Sequence, residues 1–185
     1  MVNELTLEEK YELLPELMMG DKYEHQVILH RISNQLSNQL PENCEVVGGT
    51  YLYLEISYAD YLDQSIRVVT SKDSYVEPDL MVLCDKSDIE IQDGRVFGVP
   101  AFIIEIWSLS TGNNDFTEKK DRYYRCGVQE YILIDPLRKE VYQYLLCTDY
   151  KPTIYRENPV TVPIHIFGNP ISITIDWDSL NRFQK

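Results

Sequence analysis

Three ionisable side chains stand where charge is costly or where its spacing suits chemistry: Asp79 in EPDL, Glu105 in PAFIIEIWS and Lys119 in DFTEKKDRYYR. Glu105 interrupts a run of large apolar residues. An ionised carboxylate removed from water costs several kcal/mol unless something matches its charge. In a strand, Glu105 shares a face with Ile103 and Trp107, and the carbonyl of Ile106 lies beside it. If the Asp79 strand pairs with the Glu105 strand as a hairpin through the Asp93-Gly94 turn, the two carboxylates come to one end. Two carboxylates, a carbonyl and water are oxygen ligands suited to Mg²⁺ or Mn²⁺. Simpler alternatives stand beside this one. An aspartate after proline is commonly a solvated turn residue, and Glu105 can be ion-paired across the core. Asp115, Lys119 and Tyr123 are spaced four apart on one helical face, so Lys119 can pair with Asp115. It can equally face the two acids, where a lysine orients or activates a water and offsets charge in phosphodiester hydrolysis.

The elements that must position these residues are legible in part. TLEE, with Thr6 and Glu9, is a capping-box pattern for a short helix ended by Pro15. In KYEHQVILHRISNQLSNQL, Leu29, Ile32, Leu36 and Leu40, with Val27 and Ile28 beside them, recur at helical spacing, and His25 lies one turn before Leu29. EVVGGTYLYLEISY alternates as a strand, SIRVV and PDLMVLCD follow as two more, and Ala101 to Trp107 is apolar on both faces, as in a central strand. SLSTGNND is a loop. Asp115 and Glu118 then open a helix that Gly127 closes, followed by the strands EYILI and EVYQYLLC. The order predicts an α/β or α+β sandwich.

The 185 residues, 44% hydrophobic, suffice for one core, so residues 1–185 are expected to form a single domain. No apolar stretch approaches the roughly 18 to 20 residues of a membrane span, and the acidic start is unlike a signal peptide. A cytoplasmic location is expected. Cys44, Cys84, Cys126 and Cys147 form no C-x-x-C pair and read as reduced thiols. The net charge of −13 repels polyanions unless positive charge is gathered locally. Lys119, Lys120, Arg122 and Arg125 make the densest positive segment, which suits either phosphates or an ordinary solvated helix face. His30 and His165 lack ligand spacing, Ser108, Ser110 and Thr111 lack a nucleophile-elbow pattern, and no phosphate-binding P-loop is present.

The ordered segments EPDL, GVPAFIIEIWSLST and D-x-x-x-K-x-x-x-Y, followed by GVQEYILIDP, resemble the Uma-type proteins of the PD-(D/E)XK restriction-endonuclease-like superfamily. The resemblance covers residues 20–147, with YEHQVILHRISNQL placing His25 at the family's usual histidine. It implies a restriction-endonuclease-like core, a mixed β-sheet flanked by helices with extra strands. It implies Mg²⁺- or Mn²⁺-dependent endonuclease activity on nucleic acid, DNA in the first instance, with Asp79 and Glu105 as metal-binding acids. The superfamily's lysine two residues beyond the glutamate is here Trp107, and Lys119 matches the lysine that Uma-type proteins carry in the next helix. Glu24 or His25 would be a further acid or a water-orienting group. A homodimer would suit cleavage of both strands of a duplex. Ser108-Leu109-Ser110-Thr111 replaces the family's S-P-S-T, and its early Y-E-L-x-x-G pattern is not recognisable before His25. The alternative is a binding protein that keeps a nuclease-like scaffold without turnover.

Overall fold

The computed structural model describes residues 23–63, 75–84, 89–108, 115–168 and 170–180. The expected helix at Thr6, the SIRVV strand and most of the SLSTGNND loop lie outside them. The fold is mixed α+β. Helix α1 spans residues 23–37. Ile28, Ile32 and Leu36, spaced i, i+4 and i+8, are its buried stripe, while Val27, Leu29 and Leu40 pack against the edge of the core.

Strand β1 (Cys44–Val47) is followed by the short β2 (Leu52–Tyr53) and by helix α2 (Tyr58–Leu62). The alternation from Tyr51 to Tyr58 therefore does not produce one long strand. Ser57 caps α2 in a capping box with Asp60, and this local hydrogen bonding outcompetes the extended pattern. Strands β3 (Leu80–Cys84), β4 (Glu90–Gln92), β5 (Arg95–Phe97) and β6 (Phe102–Ile106) come next. A π-helical turn (Asp115–Lys119) runs into α3 (Lys120–Cys126), which Gly127 ends in the left-handed conformation. The chain continues through β7 (Glu130–Asp135), β8 (Glu140–Leu145), β9 (Thr153–Tyr155), β10 (Val160–Ile164) and β11 (Ile171–Ile175).

The main sheet has the order β1-β3-β6-β7-β8-β9. Its β6–β7 pair is parallel and its other pairs are antiparallel. A parallel pair needs a crossover, and here the crossover carries α3 onto one face. Strand β6 is buried along its whole length because both faces are covered. Phe102, Ile104 and Ile106 share one core with α1 and the β10–β11 hairpin, whereas Ile103 shares the other with Tyr123, Val128 and Tyr131.

Two expectations are corrected. The β3 and β6 strands do pair, but Asp93-Gly94 joins β4 to β5 in a separate three-stranded sheet with β2. A tight turn specifies the strands that flank it, not the pairing of strands further away. Cys44 and Cys84, directly opposite in the β1–β3 ladder, form a disulfide, and Cys126 and Cys147 alone remain thiols. Wide sequence spacing concealed a cross-strand pair. Among the described residues no helix is long and apolar enough to cross a membrane.

At the far end of β7, Glu130 is fully buried and accepts from Gln143 and from the N–H groups of His165 and Ile166. Burial pushes its carboxyl above the usual range, against the pull of these donors. Stability from this group is therefore complete below the unfolded carboxylate range and is lost as pH rises through the raised value. Glu130→Gln removes that titration. Urea midpoints measured from about pH 4 to 8 should fall less steeply with pH in the variant, and equal slopes would contradict the account.

Candidate active site

In the β3–β6 ladder Leu80 faces Ile104, so the next position sets Asp79 across from Glu105. Antiparallel partners project to the same face, which brings the two carboxylates together at the end of the sheet. The backbone locks them reciprocally: the Ile106 N–H donates to Asp79 Oδ2 at 2.7 Å, and the Asp79 N–H donates to Glu105 Oε2 at 3.3 Å. Glu105 is 1% exposed, so its charge has to be answered from within the fold. Lys119 Nζ donates to Glu105 Oε1 at 2.9 Å, and the Tyr123 hydroxyl donates to the same oxygen at 2.7 Å. On the α1 side, His25 Nε2 lies 3.1 Å from Asp79 Oδ1.

The structure thus brings Asp79, Glu105, Lys119 and His25 into one hydrogen-bonded cluster, with Ile106 present through its N–H. Helix α1 reaches it from one face of the sheet and the α3 segment from the other, so two packed layers meet at Asp79 and Glu105. Glu24, beside His25, is half-buried and makes no hydrogen bond to these residues. Lys119 closes the π-helical turn, a feature that recurs at functional sites, and also reaches the Glu77 carbonyl at 3.4 Å. The basic segment does not form one outward positive face. Lys119 turns to Glu105, and Arg122 bonds Glu55 and the Tyr75 carbonyl.

Among the described residues, no group of three or more His, Cys, Asp or Glu side chains is drawn together to hold a metal. The pair of acids suits a hard divalent cation nonetheless, because Mg²⁺ is commonly held by one or two carboxylates and keeps several waters. Glu105 Oε1 already accepts from both Lys119 and Tyr123, so a cation would be met by Glu105 Oε2 and the Asp79 carboxylate.

A family model described as "Uma2: Putative restriction endonuclease" matches residues 6–175. The chain belongs to the Uma2 family. A search of solved structures places this Uma2 fold beside a crystal structure titled as a putative nuclease belonging to DUF820 from Anabaena variabilis, with a TM-score of 0.57. The two share 17% identity over 87% of this chain and 79% of that one, which establishes a shared fold. No curated protein matches the chain.

Two further residues bear on this cluster in ways that the sequence does not show. Tyr123 stands in the sequence as part of a helical face and as the tyrosine of D-x-x-x-K-x-x-x-Y, but nothing in a sequence shows where a buried hydroxyl points. Gly48 follows β1, where an added Cβ would stand 2.3 Å from the Asp79 carbonyl oxygen and 3.2 Å from Leu80 Cδ2. The doublet Gly48-Gly49 signalled a turn but not this close approach to a site residue. Gly49 has φ +64° with open space around it. Gly49→Ala should therefore cost about 1 kcal/mol through the left-handed backbone alone. Gly48→Ala should cost about 1 to 3 kcal/mol because the Asp79 backbone must move. Urea denaturation of both variants tests this ordering, and equal losses would show that Gly48 does not brace Asp79.

Proposed function

We propose that this chain is a divalent-metal-dependent nuclease that hydrolyses phosphodiester bonds in nucleic acid, with DNA as the substrate and a homodimer as the acting form. The observation that carries the reading is Glu105, a buried carboxylate joined to Asp79 through backbone N–H groups and met by Lys119 from the crossover helix. Membership of the restriction-endonuclease-like Uma2 family supports it.

Asp79 and Glu105 would hold Mg²⁺ or Mn²⁺, with the Ile106 carbonyl beside them. When bound, the cation polarises a phosphoryl oxygen and offsets negative charge in the transition state. The chain's own groups do the rest. Lys119 carries an ammonium on a flexible stem, partly open to solvent, and it can shift from Glu105 toward an attacking water or the phosphate. His25, anchored on Asp79 Oδ1, can orient a water or accept its proton through the neutral imidazole. Glu24 is close enough in sequence on the same helical turn to serve as a further acid. Trp107, at the position of the superfamily's usual lysine, contributes no such charge, which leaves that role to Lys119.

A scaffold without turnover is the competing reading, favoured by the net charge of −13, which opposes approach of any polyanion. Nicking of supercoiled plasmid with Mg²⁺ or Mn²⁺ separates the two. Glu105→Gln and Lys119→Gln, both close in size to the native side chains, should each lower the rate about 100-fold or more with circular dichroism unchanged. Unaltered nicking in either variant, or none in the native protein, would sink the proposal.

A further inference from the structure

Tyr123 is fully buried on α3, its ring 5.2 Å from that of Tyr131. A phenol in a core supplies apolar bulk, but its hydroxyl must find a partner. The partner here is Glu105 Oε1, at 2.7 Å, the same oxygen that Lys119 reaches at 2.9 Å. Two donors from one helical segment therefore converge on Oε1, while Oε2 is turned to the Asp79 side, where the Asp79 N–H meets it.

The two donors differ in what they can do next. Lys119 has a side chain 21% exposed on a long flexible stem, so it can leave Glu105 when another negative group arrives. Tyr123 is rigid, neutral and enclosed between Glu105 and Tyr131, and it cannot follow. We infer that Tyr123 is a positioning residue: its hydroxyl pins Glu105 Oε1 so that Oε2 faces Asp79 and a divalent cation, even when Lys119 has moved to other work. This inference rests on the metal-site reading proposed above. It divides two tasks that otherwise fall to one lysine at Oε1, since with Lys119 moved away the Tyr123 hydroxyl keeps its hold on Oε1 while the Asp79 N–H meets Oε2.

Isothermal titration of Mn²⁺ into native protein, Tyr123→Phe, Lys119→Gln and Tyr150→Phe tests it. The Tyr150 hydroxyl donates to the Val128 carbonyl at 2.7 Å, so Tyr150→Phe removes a comparable buried hydrogen bond in the same core without touching Glu105. Tyr123→Phe should weaken Mn²⁺ binding about tenfold, the loss of one hydrogen bond to a charged group. Tyr150→Phe should bind as the native protein does, and Lys119→Gln should stay within about twofold of it, because Tyr123 still holds Glu105. In nicking assays Tyr123→Phe should require more Mn²⁺ while its KM for DNA is unchanged, a split that general loosening of the core would not produce. Native Mn²⁺ affinity in Tyr123→Phe would overturn the inference and leave the metal site standing. No Mn²⁺ binding by the native protein would overturn both. Should Tyr123→Phe fail to fold, the Lys119→Gln arm decides: a tenfold loss there would show that the lysine, not the tyrosine, keeps Glu105 in place.

Discussion

The structure turns on one buried carboxylate. Glu105 lies in the central strand of the main sheet, where five consecutive residues are shielded from water, and an ionised group there is tolerated only if its surroundings answer the charge. That requirement reaches into the topology. Strand β3 must run antiparallel to β6 so that Asp79 lies opposite Glu105, its N–H donating to the Glu105 carboxylate and its own carboxylate accepting from the Ile106 N–H. The crossover from β6 to its parallel neighbour β7 must pass over the same face, because it carries Lys119 and Tyr123. Helix α1 must cover the other face so that its first turn delivers His25 to Asp79.

A second buried glutamate shows that burial alone does not make such a site. Glu130 also sits in the main sheet, at the opposite end, but its partners are an amide side chain and two backbone N–H groups. None of these three donors is a cation, and burial raises its carboxyl's affinity for a proton. It anchors the segment after β10 to the sheet. Glu105 instead meets an ammonium and a phenol and stands across from another acid, an arrangement that a divalent cation can exploit. The difference lies in what the neighbouring elements bring, not in the residue.

Much of this was legible from the chain. The apolar run around Glu105 marks β6 as central, Gly127 marks the end of α3, and EYILI marks β7, because burial on two faces, left-handed caps and short apolar runs each leave local traces. Asp79, Glu105 and Lys119 could be named as candidates from the interrupted apolar run and the helical spacing, His25 only through the family resemblance, and the structure brings all four together. Other features depend on distant pairing that has no local trace. The Asp93-Gly94 turn correctly signals a hairpin, yet its strands belong to the smaller sheet. The alternation after Tyr51 yields to the Ser57 and Asp60 capping box, and Cys44 and Cys84 meet only because β1 and β3 align. Gly48 and Tyr123 act through a close approach and a buried hydrogen bond, both properties of the folded chain.

The central claim is that Asp79 and Glu105 form a divalent-cation site. A crystal soaked in Mn²⁺ and measured at the manganese edge tests it most directly. The account predicts one anomalous peak between the two carboxylates, about 2.0 to 2.2 Å from an oxygen of each, with Lys119 drawn away from Glu105 and Tyr123 still bonded to it. Absence of a peak there, with Lys119 still seated on Glu105 Oε1, would contradict it and leave an internal ion pair in its place.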